Sequence, residues 1–143
     1  EIIQFIGMDD YFTHTDSLQN IVNAFSQNPN KVWAITSCMH YINDKECNHH
    51  IPEWTEDIYI GNNMLGGLST LSMKREKALF FEEPLNWLVD VDLYYRLYLK
   101  YGKPILLIMP NVTVGIHSGQ VSALLSEEEK NEEINYMLKK YGK

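Results

Sequence analysis

Residues 89–116 read VDVDLYYRLYLKYGKPILLIMPNVTVGI. The first half has helical spacing: Leu93 and Leu97 are four apart, as are Tyr94 and Tyr98. Asp90 and Asp92 fall in the first turn and Arg96 and Lys100 nearer the end, the order the helix dipole favours. Gly102 stands where a C-cap belongs, so a helix is expected over 89–101. The second half is rich in branched apolar residues and predicts two strands, 104–109 and 112–116, separated at Pro110. A helix that passes through one glycine into apolar strands belongs to a layered α/β or α+β fold.

The rest of the chain continues that alternation. Ile2-Ile3-Gln4-Phe5-Ile6 has four apolar residues in five and predicts a buried strand, running into Gly7-Met8-Asp9-Asp10. Leu18, Ile21, Val22 and Phe25 define one helical face, with Thr15 or Asp16 as cap and Asn28-Pro29-Asn30 as stop. Residues 32–42 predict a strand and 43–56 a polar loop. Ile58-Tyr59-Ile60 and residues 68–73 predict further strands, and Gly61, Gly66 and Gly67 break the chain between them. A last helix opens on the capping box Ser126-x-x-Glu129 and is expected to bury Ile134, Met137, Leu138 and Tyr141.

The 143 residues fit one domain, 1–143, with 45% hydrophobic and 22% charged residues, ordinary for a globular chain. No apolar run approaches the roughly 20 residues that cross a bilayer. The formal charge of -7 argues against nucleic acid as partner, because such binding rests on Lys and Arg neutralising phosphates. A nucleoside diphosphate remains compatible with an acidic chain if a divalent cation stands between carboxylates and phosphates. Two cysteines, Cys38 and Cys47, make no disulfide scaffold, which favours a reducing cytosol. The chain opens at Glu1 within a strand-like run, with neither an initiator Met nor a secretory leader, so it is expected to be part of a longer domain.

Four constellations can carry chemistry. Asp9-Asp10 follow an apolar strand, where ligands of α/β sheets collect, and adjacent carboxylates invite a cation between them. The plainer reading is a capped turn. Asp90 and Asp92 open a helix whose free N–H groups can hold a carboxylate ready to act as general base. For Asp92 and Arg96 the spacing itself indicates a structural i,i+4 pair. His117 follows the last strand and can bind a metal or a phosphate, although a lone strand-end His is commonly an ordinary surface residue. Cys38 and His40 alternate on one strand face and, with Cys47 and His49, permit a zinc site, at the expense of a tight hairpin over 43–45 and without the usual C-x₂₋₄-C spacing. Asn111-Val112-Thr113 is a glycosylation sequon between strands.

In this order, these segments resemble family 2 glycosyltransferases of bacterial surface-polysaccharide type, over most of residues 2–122. Ile6-Gly7-Met8-Asp9-Asp10-Tyr11-Phe12 is similar to the strand ending in a D-x-D-D-type motif, with Gly7 in place of its first carboxylate. Residues 66–76, from Gly66-Gly67 to Lys74-Arg75-Glu76, resemble the small-residue strand that ends in a basic pair. Phe81-Glu82-Glu83 resembles the F-D-E element, and Val89-Asp90-Val91-Asp92-Leu93…Arg96 the E-D-x-D-L…R motif, with Val89 in place of Glu. Ile116-His117-Ser118-Gly119 resembles the segment that returns a His toward the diphosphate.

The resemblance implies a GT-A-like mixed sheet with flanking helices, whose N-terminal nucleotide-binding half precedes this chain. It implies transfer of a sugar from a nucleotide-diphosphate-sugar to an acceptor hydroxyl, with inversion, in polysaccharide or glycan synthesis. Asp90 would be the base; Asp9, Asp10 and His117 would hold Mg²⁺ or Mn²⁺, with His117 and Arg96 toward the diphosphate. Gly66, Gly67, Glu82, Trp87 and Asp92 would line the acceptor side. The acceptor would be a glycan or lipid-linked group, at the cytoplasmic side of a membrane to which the enzyme associates peripherally. An unpaired strand edge at residues 2–6 would favour self-association. The competing readings are a non-catalytic binding or assembly module derived from such a domain, and a small zinc-stabilised domain.

Overall fold

The computed structural model describes residues 1–42, 45–82 and 84–142; the side chains of Glu46 and Cys47 also lie outside the described part. The strands are β1 (Ile2–Gln4), β2 (Tyr11–Phe12), β3 (Trp33–Ile42), β4 (Lys45–His50), β5 (Leu71–Lys74) and β6 (Ile105–Gly115). The helices are α1 (Ser17–Gln27), α2 (Val89–Tyr101), α3 (Val121–Leu124) and α4 (Glu127–Tyr141). The strands form one mixed sheet in the order β1-β5-β3-β6-β2, with β4 also paired to β3. Among the described residues β3 and β6 run parallel, and the other pairings are antiparallel.

Helices cover both faces of this α/β sheet. On one face α1 contributes Ile21 and Phe25, which meet Ala34 of β3 with Ile2, Ile105 and Leu107. On the other, α2 and α4 contribute Leu93, Tyr94, Leu97 and Met137 to a larger core with Trp33 and Ile35 of β3. Because strand side chains alternate, neighbouring residues of β3 feed opposite cores, so a strand covered on both faces reads as a continuous apolar run. The same fact explains residues 2–6. They were expected to form a buried strand, but β1 is a three-residue, half-buried edge paired with β5. Ile2 packs on the α1 side, and Ile3 and Phe5 on the other.

Other expectations are corrected. The segment expected as a polar loop contains β4, which pairs with the Cys38–Ile42 half of β3. β3 grows more exposed there, so its partner needs no buried apolar face. Ile58–Ile60 and Leu68–Thr70 are 3₁₀ turns, the second leading directly into β5. The two strands expected on either side of Pro110 are one, β6. The ladder with β3 slips on both sides of Ser37, opposite Pro110. Such an irregularity is where a residue without an N–H fits within a sheet. The α1 face is Ser17, Ile21 and Phe25, leaving Leu18 and Val22 exposed. In α4 Met137 is buried, whereas Leu138 is exposed.

The α2 span agrees with the expectation, including the positive φ of 78° at Gly102. In α4 both halves of the Ser126–Glu129 capping box are formed. The sequon at Asn111 is sealed: its side chain is fully buried, donates to Thr36 Oγ1 at 2.9 Å and accepts from Asn20 Nδ2 at 3.0 Å. Among the described residues no helix is long and apolar enough to cross a membrane.

Candidate functional site

The loop after β1 and the segment after β6 meet. Asp10 Oδ1 accepts the Gly115 N–H at 3.0 Å, and Asp9 Oδ2 lies 2.7 Å from His117 Nε2. Gly115 makes the approach feasible: a Cβ at that position would stand 2.8 Å from the backbone oxygen of Asp9. Gly7 is similarly crowded, because its Cβ would come within 3.0 Å of an Asp10 carboxylate oxygen. A carboxylate in the place of Gly7 would thus press on the pair it was meant to join. The Asp9 and His117 side chains remain about half exposed, 45% and 52%.

The segment after His117 turns back along a second feature, a cavity of about 400 Å³. Its walls include Gly61, Asn63, Trp87, Asp90, Gln120 and Ser122. Gln120 Nε2 donates to the Gly115 carbonyl at 2.7 Å, so the Asp9–His117 corner and the cavity share a common strut. Gly61 turns at φ 91°, and the Trp87 ring packs close to its Cα. Gly66, at φ 96°, lies just behind the cavity: its carbonyl accepts from Asn63 Nδ2 at 3.0 Å, and the Gly67 carbonyl accepts from Tyr94 OH at 3.0 Å.

Asp90 holds the cavity wall at the first turn of α2. The residue keeps some exposed surface, but its carboxyl is enclosed by protein, and this burial pushes its pKa up to about 7. The Val91 N–H, 2.7 Å from Oδ1, pulls the other way, and the negative charge of Glu133 adds to the rise. Asn63 Nδ2 approaches Oδ2 at 3.4 Å. A carboxyl that titrates near neutrality inside a cavity is suited to accept a proton. Tyr94, fully buried beside it, is raised well above an ordinary phenol by burial and then by the Asp90 charge.

The structure does not bring the remaining resemblance-derived residues to this cavity. Asp92 is 1% exposed, and its Oδ2 accepts from Arg96 Nε at 2.7 Å. Its Oδ1 accepts from Lys140 Nζ at 2.8 Å and Tyr141 OH at 2.6 Å. Glu82 joins the same cluster through Lys140 at 2.5 Å, and Arg96 also donates to the Phe80 carbonyl at 2.9 Å. Asp92, Glu82 and Arg96 are therefore engaged with one another and with α4, not with the cavity lining. The i,i+4 pair read from the spacing of Asp92 and Arg96 is present. Glu83 lies outside the described residues.

Cys38 is buried in the sheet, and burial, then the Asp10 charge, pushes its thiol up to about 11. His50 sits opposite Cys38 across the β3–β4 ladder and stacks on His40 at 6.0 Å. The Cys47 side chain and the hairpin residues Asn43 and Asp44, and with them the four-ligand zinc reading as a set, lie outside the described part. Among the described residues no group of three or more His, Cys, Asp or Glu side chains is gathered to enclose a metal ion. Asp9, Asp10 and His117 supply oxygen and nitrogen donors at an open corner. Asp10 Oδ1 is taken by the Gly115 N–H and Asp9 Oδ2 by His117 Nε2, so the three side chains are neighbours but are not gathered around a metal position.

What the sequence missed at this site is Glu133 and Gln120. Neither belongs to a recognisable motif, and their roles depend on how α4 and the turn after β6 fold back. Compared with protein-family models and with curated proteins, the chain matches none.

Proposed function

We propose that this chain forms the acceptor and metal side of a GT-A-like glycosyltransferase that moves a sugar from a nucleotide-diphosphate-sugar to an acceptor hydroxyl with inversion. The observation that carries the reading is Asp90: an enclosed carboxyl in a cavity, titrating near 7, joined by the 115–122 segment to the Asp9–His117 corner.

The acceptor hydroxyl enters the cavity between Trp87 and the turn at Gly61, where the indole face can stack on the apolar face of a sugar. Asp90 takes the hydroxyl proton onto its carboxylate as the acceptor oxygen forms its bond to the anomeric carbon. The bond from that carbon to the diphosphate breaks on the opposite side and its electron pair leaves with the nucleoside diphosphate. Asp9, Asp10 and His117 would hold a divalent cation at the diphosphate end, because the carboxylates alone would repel it. A divalent cation bound there would supply the positive charge that stabilises the leaving group. A base with a pKa near the working pH is the most effective at such a transfer. The cytoplasmic face of a membrane and a glycan or lipid-linked acceptor are the setting that this chemistry fits.

The test is Asp90→Asn, measured by transfer from a panel of labelled nucleotide-sugars and by calorimetry of nucleoside diphosphate with Mn²⁺. The expected result is a loss on the order of 10²–10⁴ in transfer rate with binding retained. Wild-type turnover in the folded variant removes Asp90 from the chemistry. Tight nucleoside diphosphate binding with no transfer by any form would favour the non-catalytic module.

A further inference from the structure

The first turn of α2 carries Asp90, whose side chain takes the Val91 N–H, while Leu88, the N-cap, offers no side-chain acceptor. Just before the helix, the bend at residues 86–88 presents successive backbone N–H groups, a cup that suits an anion. Here the anion comes from α4. Glu133 Oε1 accepts the N–H groups of Asn86 at 2.9 Å and Trp87 at 3.2 Å. Its Oε2 accepts those of Trp87 at 3.0 Å and Leu88 at 2.8 Å. One carboxylate thus binds three successive backbone N–H groups, 45 to 47 positions away in sequence.

These three residues form part of the cavity wall and lead directly to Asp90. The same helix holds the turn from its far side, where Lys140 and Tyr141 bind Asp92. Lys130 of α4 also lies 5.9 Å from the Trp87 ring centroid. The Asp90 carboxyl is therefore set in a turn gripped at two points by α4, with the Glu133 charge close enough to act on it.

We propose that Glu133 is a positioning residue: by filling the anion cup just before α2 it fixes where Trp87 and Asp90 stand, and it keeps a negative charge beside the Asp90 carboxyl. Its consequence for sugar transfer rests on Asp90 being the base; the clamp itself does not. Among the described residues, the charge that raises Asp90 is that of Glu133 from α4; Tyr94 of α2 is itself raised by the Asp90 charge, and the neutral amide of Asn63 faces Asp90 from the 61–66 turn.

The test uses the full chain, with the Asp90 titration followed by carboxyl-carbon NMR and backbone protection by amide exchange. In Glu133→Gln the Asp90 midpoint moves down from near 7, because a negative neighbour has gone, and exchange at Trp87 and Leu88 speeds by about tenfold or more. Glu132→Gln, which removes the same charge one residue away and makes no bond to α2, changes neither. An unmoved Asp90 midpoint in Glu133→Gln, or an equal shift in Glu132→Gln, overturns the proposal. Should Glu133→Gln fail to fold, Glu133→Asp keeps the charge on a shorter arm. It must then speed exchange at Trp87 and Leu88 while holding the midpoint near 7, and unchanged protection there refutes the clamp. If the wild type transfers sugar, its pH profile follows the Asp90 midpoint downward in Glu133→Gln. Where the chain alone transfers none, transfer is measured in a longer protein that contains it; if that also transfers none, the enzymatic reading falls and the two NMR readouts still judge Glu133.

Discussion

His117 Nε2 lies 2.7 Å from Asp9 Oδ2, although 108 positions separate the two residues. Both side chains are about half exposed, so an ion pair between them, when His117 is protonated, adds little to stability. Under the proposed function, this contact of small energetic value is the preformed half of a ligand site.

Asp9→Ala should therefore leave the fold intact and weaken Mn²⁺ and nucleoside diphosphate binding together, by about tenfold or more for the loss of one charge-assisted contact. Calorimetry with and without Mn²⁺ measures both. A variant whose nucleotide binding keeps its full metal dependence would reduce Asp9 to a turn residue.

Asp90 should cost the protein stability at neutral pH. Its carboxyl titrates near 7 when folded against an ordinary value of 3.8, so between those values the native state binds more protons than the unfolded chain. Stability then falls as pH rises through that window, by at most about 1.4 kcal/mol per pH unit for one proton, and levels off above it. Asp90→Asn has no such proton to lose. It should melt higher than the wild type at pH 8 and converge with it toward pH 4. Parallel melting curves for the two proteins across that range would show that Asp90 is not held in its neutral form.

Gly115→Ala tests how tightly the two loops meet. The added methyl would fall 2.8 Å from the Asp9 carbonyl oxygen, which is backbone and cannot rotate away. The 7–10 loop must shift, breaking the Asp10–Gly115 bond; the expected loss is about 1–3 kcal/mol, as for overpacking elsewhere. Thermal melts report the loss, and Mn²⁺ affinity should fall with it. An unchanged melting temperature would mean that the loop is not seated against β6.

Chelation should leave the fold standing. Cys38 is buried, and burial with the Asp10 charge pushes its thiol up to about 11, which works against the thiolate that zinc needs. EDTA is expected to shift the melting temperature little. A cooperative loss of structure on chelation would falsify this and establish a structural zinc, since removing one costs on the order of 10 kcal/mol.

The parts of this fold that announce themselves in sequence are those fixed by local chemistry. The α2 span, its Gly102 terminus and the Ser126 capping box are set by neighbours three or four residues apart. The parts that do not are set by pairing at a distance. β4 is polar because it covers an exposing half of β3, and β6 crosses Pro110 because its ladder slips at Ser37. The site divides in the same way. Asp9, Asp10, Asp90 and His117 stand out as carboxylates and an imidazole at element ends, whereas Glu133 is one of five glutamates between 127 and 133 and nothing local marks it. Only the return of α4 onto the start of α2 distinguishes it.

Asp92 gives the sharpest contrast, because it lies two residues from Asp90 and behaves in the opposite way. Burial alone would raise its pKa, but bonds from Lys140, Tyr141 and Arg96 outweigh it and lower the value below the ordinary 3.8. The stabilisation from Asp92 is therefore fully present above about pH 4 and is lost as pH falls through the lowered folded value. Asp92→Asn would leave Arg96 and Lys140 with the more exposed Glu82 as counter-charge in place of a carboxylate that is 1% exposed, at an expected loss of about 3 kcal/mol. The variant should melt far below the wild type at pH 7, and the gap should narrow in acid. An acceptor contact, the role the sequence resemblance implies, would instead leave melting unchanged and raise KM for the acceptor. Melting curves from pH 3 to 8 decide between the two, and a stable Asp92→Asn protein would return this carboxylate to the substrate side.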